Sequence, residues 1–298
     1  MQLPTVKQLR YLAALAEHKH FGRAAKACFV SQSAFSVGIQ ELESSLRVQL
    51  IDRTQKRVVI TRLGQDIISQ ARLCLRDIEA LVEMARSQRE PLGGALRLGV
   101  IPTIAPFLLP KVMPALRKAY PRLDLLLKED MTQRIYAELM SGELDAILYA
   151  VPYDLAGIDT LELFRDSFLL AYREGTELVD PKRYTFNRLN AQSVLLLEDG
   201  HCLRSHAIAA CRIRDFSKIR PFTANSLFTL VQMVDSDLGV TFLPEIALGS
   251  ALLRGTRVKT QPLKEKSYRT IALAWRSGSA RHDEFAKLGE FIKQQCGF

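Results

Sequence analysis

The chain of 298 residues carries 41 Lys and Arg against 32 Asp and Glu, a formal net charge of +9, with 48% hydrophobic and 24% charged residues. That balance belongs to a soluble globular protein with room for two or three domains and a well-buried core. The five cysteines (Cys28, Cys74, Cys202, Cys211, Cys296) form no CxxC pair and no regular ladder, which argues against a zinc ribbon or a disulfide framework.

No stretch approaches the ~20 apolar residues that span a bilayer. The first residues, MQLPTVKQLRYLAALAEHKHF, lack the apolar core and small-residue cleavage site of a signal peptide. The expected compartment is the cytoplasm, where thiols rest reduced, with no membrane partner. The charge is uneven. Residues 1–65 hold ten Lys and Arg against four Asp and Glu, and the other 233 hold 31 against 28. A basic head on a near-neutral body fits a polyanion partner for the head, and on charge alone it fits a solvated surface equally well.

In the head, Val6, Leu9, Leu12, Ala13 and Ala16 recur at helical spacing. FGRAAKAC follows as a short second helix, whose Ala24, Ala25 and Ala27 let a neighbour pack close. Phe29 and Val30 make a turn, and Ser31 or Ser33 caps a third helix. Along that helix Phe35, Ile39, Leu42 and Leu46 line one face, while Gln32, Ser36 and Gln40 point the other way. This is a helix-turn-helix, whose last helix enters the DNA major groove with its N-terminal residues at base edges. LIDRTQKRVVITRLG then reads as a β-wing, with Arg53, Lys56 and Arg57 placed for phosphate contacts. The winged helix-turn-helix DNA-binding domain is expected over 1–62.

From 63 to 89 an apolar stripe runs through Leu63, Ile67, Ala71, Cys74 or Leu75, Ile78, Leu81 or Val82 and Ala85, with no proline. A helix of that length suits pairing with a copy of itself, the alternative being a helix packed on the body. Cys74 is then a small core residue. EPLGG, 90–94, breaks the helix as a hinge. A two-fold pair of heads calls for an inverted-repeat site in double-stranded DNA.

Beyond the hinge, over 95–298, apolar strand-like runs (ALRLGVI, LDLLLKED, SVLLLED, GVTFLP, RTIALAW) alternate with helical ones, and EFAKLGEFIKQQC closes the chain. The alternation predicts a mostly parallel α/β sheet in two subdomains with a cleft between them. No G-x-G-x-x-G, Walker loop or H-E-x-x-H is present, so nucleotide use and metalloprotease chemistry have no support, and no metal or cofactor is expected.

EDGHCLRSHAIAAC places Cys202 at or just before the first turn of a helix. Backbone N–H groups and the helix dipole favour a thiolate there, and Arg204 and a protonated or donating His201 would add to that. A thiolate attacks peroxide to give a sulfenic acid that a second thiol converts to a disulfide, and Cys211 is the candidate partner. Along one α-helix, nine steps would hold the two Cα atoms ~13.5 Å apart and on opposite faces. A disulfide needs about 7 Å or less. Joining them therefore requires the segment to unwind. Two buried, inert cysteines are the equally weighted alternative.

The segment FGRAAKACFVSQSAFSVGIQELESSLRVQLIDRTQKRVVITRLG resembles the DNA-binding region of LysR-type transcriptional regulators. It departs from their pattern at Ser33, where many members have Pro, and at Val37, Gly38 and Glu41, often Arg, Gln or Lys. Gly38 weakens a helix by roughly 1 kcal/mol relative to Ala. With few cations on the reading helix, phosphate contacts shift to the wing, Arg23 and Lys26, leaving Gln32, Ser33, Ser36 and Gln40 as base-reading candidates.

The body is similar to the family's periplasmic-binding-protein-like effector domain, which implies one lobe of about 95–165 plus 268–298 and another of about 166–267. LLLEDGHCLRSHAIAAC resembles the redox segment of OxyR-type hydrogen-peroxide sensors. The resemblance assigns the peroxidatic role to Cys202 and the resolving role to Cys211. It implies a peroxide pocket with Thr103, Thr132, His201, Arg204 and Arg269, whose hydroxyls and cation would stabilise the departing oxygen anion. Asp145 matches a family position but is read as structural. Ser205-His206 stands where members often have Asp-Gln. Cys28 and Cys296 are assigned no redox duty.

The expected function is that of a peroxide-responsive transcription factor, not an enzyme, which binds DNA as a homodimer or homotetramer and contacts RNA polymerase after oxidation. A regulator taking a small organic effector in the cleft, with Ser226 and its neighbours as contacts, is the alternative.

Overall fold

The structure, a computed structural model, describes residues 3–52, 58–87, 92–222, 224–263 and 267–296. The chain divides into two compact units, the first made chiefly of residues 1–90 and the second of most of 91–298.

In the first unit, α1 (Val6–His18) starts from a capping box: Thr5 accepts from the Gln8 N–H, and the Gln8 side chain accepts from the Thr5 N–H. α2 (Phe21–Ala27) is capped by His20, whose ring accepts from the N–H groups of Gly22 and Arg23. α3 (Gln32–Leu46) takes Ser31 as its cap, with the Ala34 N–H donating to the hydroxyl at 3.2 Å, while Ser33 only pairs with the Ser31 hydroxyl. Tyr11, Leu12, Leu15, Ala24, Ala25, Phe35, Ile39 and Leu42 form one buried cluster, in which the Tyr11 and Phe35 rings lie 4.7 Å apart.

Gly38 has a packing role that its low helix propensity hides. A Cβ there would sit 2.8 Å from two Tyr11 ring carbons, so glycine is what lets α3 approach α1. Strands β1 (Ile51–Asp52) and β2 (Val59–Ile60) pair antiparallel, as the wing reading requires. Arg53, Lys56 and Arg57 lie outside the described residues.

Helix α4 covers Arg62–Ser87, against the expected 63–89. Its apolar positions divide. Ile68 and Ala71 are buried in the head cluster, while Leu63, Ile78, Leu81 and Val82 are exposed in the single chain. At its start, a Cβ on Gly64 would lie 2.3 Å from the Leu50 carbonyl oxygen.

The second unit is built on a seven-stranded sheet. Strand β3 (Gly94–Val100) pairs parallel with β4 (Leu123–Glu129) and with β5 (Ala146–Val151). Between them run α5 (Ala105–Ala119) and α6 (Thr132–Met140), the helices of βαβ units. The remaining pairings are antiparallel. β6 (Ile158–Arg173) bonds first to β9 (Tyr268–Arg276) and then, beyond Ser167, to β7 (Thr241–Pro244) and β8 (Val258–Pro262), while β5 also pairs with β9.

The sheet is therefore mixed, which corrects the mostly parallel expectation. The two strands that cross between the lobes, β6 and β9, run against their neighbours, and an apolar run does not encode strand direction. Residues 193–197 of SVLLLED are buried, yet they form no named strand and make only isolated parallel bridges of Val194 to Ile219 and Val240. Helices α7 (Cys202–Ala210) and α8 (Leu227–Asp235) lie between β6 and β7 in the chain, and α9 (His282–Gln295) follows β9. Strand β6 changes partners at 167/168.

Because the atom nearest the Cβ position of residue 64 is backbone, it cannot rotate away. Gly64→Ala is expected to destabilise the head by about 1–3 kcal/mol. Thermal unfolding followed by circular dichroism checks this, and an unchanged midpoint would contradict the close approach.

Candidate functional site

The turn before α7 is set by Gly200, whose φ of +104° lies in a region that side chains rarely adopt. It delivers His201 as N-cap and Cys202 as the first helical residue, both buried. Thr103 stands in the turn after β3, and Thr132 opens α6 after β4. Both are buried at the carboxyl ends of parallel strands, the usual place for a site in such sheets.

Arg269, with no exposed surface, anchors the cluster. Its Nε donates to Asp166 Oδ2, its Nη1 to Thr103 Oγ1 and its Nη2 to the Thr103 carbonyl, each at 2.9 Å. Asp166 and Arg269 face each other directly in the β6–β9 ladder, and Asp166 Oδ1 also accepts from the Ile246 N–H at 2.9 Å. The sequence gives no sign of Asp166 as the partner, since a register match across 103 positions leaves no local pattern.

The thiol of Cys202 is 5% exposed, and burial pushes its pKa above the ordinary value. Arg269, the Thr132 hydroxyl and the backbone N–H groups of Cys202 and Leu203 pull in the other direction without cancelling it. The Thr132 hydroxyl sits beside the sulfur, but it makes no hydrogen bond of full geometry.

This corrects the expectation of a resting thiolate: desolvation outweighs the helix terminus. It also corrects His201, whose pKa burial lowers despite Glu198, leaving a neutral ring at pH 7 with Nε2 unpartnered. Arg204 turns to the loop, where Nη1 donates to the Leu197 carbonyl and Nε pairs with Asp199 at 2.9 Å. The cation that acts on the thiol is Arg269.

Neither cysteine is in a disulfide, and α7 is regular between them. Cys211 is its C-cap, and the Cys211 N–H still donates to the Ala207 carbonyl at 2.9 Å. The helix is tethered along its length: His206 Nε2 lies 2.7 Å from the Pro152 carbonyl, and Ser267 Oγ donates to the Ala210 carbonyl at 2.7 Å. His206 shares a face with Cys202 at i+4, a spacing visible in the sequence whose consequence was missed.

Asp145 has the expected structural role, accepting from the Arg97 N–H at 2.8 Å. Ser226 caps α8. Cys28 is partly buried in the head, and burial raises its pKa, as it does for Cys296 near the end of the chain. Cys74 is also partly buried.

On the head, Gln32, Ser33 and Gln40 are exposed on α3 and Ser36 is half-buried, all on the side away from the core. Arg23 and Lys26 are exposed on α2, with Arg23 Nη2 donating to the His18 carbonyl. Among the described residues no group of His, Cys, Asp and Glu could hold a metal ion, and no helix is long and apolar enough to cross a membrane.

A family model described as "Bacterial regulatory helix-turn-helix protein, lysR family" matches residues 6–65, and one described as "LysR substrate binding domain" matches residues 89–297. The chain belongs to the LysR family. Its winged head and two-lobed body are those of a LysR regulator. Among curated relatives, the "Hydrogen peroxide-inducible genes activator" of Dickeya chrysanthemi is 37% identical over 289 residues, covering 97% of this chain and 95% of that one. The "HTH-type transcriptional regulator EstR" of Acinetobacter baylyi is 36% identical, with 98% and 97% covered. A full-length OxyR from Pseudomonas aeruginosa, solved as a Cys-to-Asp variant, has a TM-score of 0.83 at 33% identity, with 98% and 96% covered.

Within this LysR fold, Asp166→Asn would leave the Arg269 charge buried without a counter-ion. Destabilisation by roughly 3–5 kcal/mol is expected, read from urea unfolding of the second unit's tryptophan, Trp275. A loss under about 1 kcal/mol would mean that Thr103 alone satisfies the guanidinium.

Proposed function

We propose that this LysR regulator senses hydrogen peroxide through Cys202 and relays oxidation to DNA by forming a Cys202–Cys211 disulfide. The Cys202 sulfur takes one peroxide oxygen, giving a sulfenic acid and water. The Cys211 thiol then attacks that sulfur, forming the disulfide and releasing a second water. Thr103, Thr132, His201 and Arg269 surround the first step, and Arg204 holds the loop that delivers the thiol.

The observation that carries the reading is the position of two cysteines, not joined by a disulfide, at opposite ends of α7, one of them buried and under the influence of Arg269. At 1.5 Å per residue their Cα atoms are ~13.5 Å apart, roughly twice the reach of a disulfide. Bond formation must unwind α7 and release the His206, Ala210 and Arg204 tethers, which makes oxidation a change of shape. The names of the peroxide-inducible activator and OxyR relatives support the same reading.

On the DNA side, Gln32, Ser33, Ser36 and Gln40 would meet base edges, and Arg23, Lys26, Arg53, Lys56 and Arg57 the phosphates. The exposed Leu63, Ile78, Leu81 and Val82 of α4 supply an apolar face for a second copy, so two heads would bind an inverted repeat as a homodimer or homotetramer. Contact with RNA polymerase after oxidation, in the cytoplasm, completes the proposal.

A regulator answering to a small organic effector is the second reading, favoured by the similarity to EstR and by the substrate-binding family model over the body. Stoichiometric peroxide added to reduced protein separates the two. The sensor reading expects one Cys202–Cys211 linkage by peptide mass spectrometry, a shifted DNA footprint, and loss of both in Cys202→Ser. Absence of the linkage, or an unchanged response in Cys202→Ser, would replace the sensor with the effector reading.

A further inference from the structure

We infer that His206 is a further catalytic residue of the peroxide step: the lone pair of its Nδ1 takes the Cys202 thiol proton and hands it to the departing oxygen. This rests on the peroxide reading above.

Three structural features converge on His206. First, His206 lies one helical turn after Cys202 on α7, and i,i+4 side chains share a face with Cβ atoms about 5–6 Å apart. A single small molecule fits between such groups. Second, the tautomer is fixed. A carbonyl only accepts, so His206 Nε2, 2.7 Å from the Pro152 oxygen, carries the proton, and Nδ1 presents a bare lone pair. Third, that lone pair is buried and has no hydrogen-bond partner. Buried polar atoms are nearly always satisfied, and the exceptions call for an explanation such as a catalytic role. A base oriented from behind by a third group, one helical turn from a thiol, can activate that cysteine through a small molecule held between them.

The chemistry also demands a base. Burial raises the thiol's pKa, so the resting sulfur keeps its proton, whereas thiolate is the nucleophile. His201 is the other neutral imidazole nearby, but it is the N-cap rather than the i+4 residue, and its Nε2 has no partner. Neither the Arg269 guanidinium nor the Thr132 hydroxyl can take up a proton at neutral pH, so they serve to orient or polarise the peroxide.

The step balances. The thiol proton passes through one bridging oxygen to Nδ1, leaving thiolate and imidazolium. The sulfur lone pair forms an S–O bond to the nearer peroxide oxygen as the O–O bond breaks. The far oxygen leaves with the bonding pair and takes the imidazolium proton, giving water, sulfenic acid and neutral His206. Sulfur loses two electrons and peroxide gains them.

Two groups act on this imidazole, the Pro152 carbonyl and Arg269 from β9, which is paired with Asp166 from β6; on its own helix Cys202 lies one turn earlier and His201 is the cap. Burial lowers the His206 pKa, against the Pro152 hydrogen bond and in the same direction as Arg269. The base is therefore present in its neutral form at pH 7 and is lost only as pH falls below the ordinary histidine range.

The test uses the full chain carrying Cys211→Ser, with sulfenic acid formation at Cys202 trapped by dimedone and timed by mass spectrometry from pH 5 to 10. Without further change, the rate should be level near neutrality and fall on acidification, and His201→Gln should keep that fall. His206→Gln retains a donor for Pro152 but has no basic lone pair. It should react about 10²-fold more slowly at pH 7. Its rate should climb with pH as the thiol ionises unaided, closing the gap near pH 10. A His206→Gln protein within about twofold at pH 7, or slower by one factor at every pH, would overturn the assignment while leaving the sensor intact. No acid-side fall in the parent would do the same, even if His206→Gln failed to fold. No sulfenic acid in the parent at any pH would sink the peroxide reading and this inference together.

Discussion

A guanidinium with no surface in contact with water has to be answered on every side by the chain, and Arg269 is answered by Asp166 and by both oxygens of Thr103. Moving such a charge out of water without partners costs several kcal/mol, so the register of β9 against β6 and the course of the β3–α5 turn are fixed together. The pair sits where β6 leaves β9 for β7 and β8, next to the crossing between lobes. A site placed there reports on both lobes, because neither crossing strand can move without disturbing it. The carboxylate also tempers the field at the sulfur. Arg269 lowers the Cys202 pKa, yet burial still prevails.

The head was legible in the sequence almost to the residue, because its determinants are local. Helical periodicity, the serine before Gln32 and the alanines of α2 each act within one or two turns. Gly38 was legible only as a weakness. Its reason, the Tyr11 ring at 2.8 Å, comes from a helix 27 positions away. In the body, the alternation of elements located α5, α6 and α7, but strand direction and the broken pairing of SVLLLED depend on which neighbours the crossing strands meet. The cysteine pair stood out from its own setting and spacing, while its redox roles and the place of Arg269 came only from family likeness. The direction of the thiol's shift was read wrongly, since the helix terminus is visible in a sequence and desolvation is not.

Helix α7 is poised between two sets of interactions of similar size. Side-chain ties from His206, Ser267 and Arg204 hold it in place, each contributing about 1 kcal/mol net. Leu203 and Ala207 bury its inner face. Closing a loop of this length with a disulfide contributes on the order of 2–3 kcal/mol relative to the open chain. On the proposed mechanism neither state overwhelms the other, which is the condition for a switch that a cellular reductant can reset. A longer or more deeply buried helix would have held the thiols apart after oxidation.

The buried thiol is a paradox only if reactivity is identified with acidity. A buried, protonated sulfur is shielded from bulky or charged oxidants and from metals, which need the thiolate. The same protection makes it a poor nucleophile until something removes its proton. Peroxide is small and uncharged, and it offers a hydrogen-bond donor and an acceptor on adjacent atoms. On the proposed mechanism it would meet the Thr103 and Thr132 hydroxyls and an imidazole lone pair at once. The molecule that is sensed would then help to complete the path by which the thiol is activated, so that selectivity and reactivity would arise from one geometry. An acidic, exposed cysteine would react faster with most oxidants and discriminate among them less.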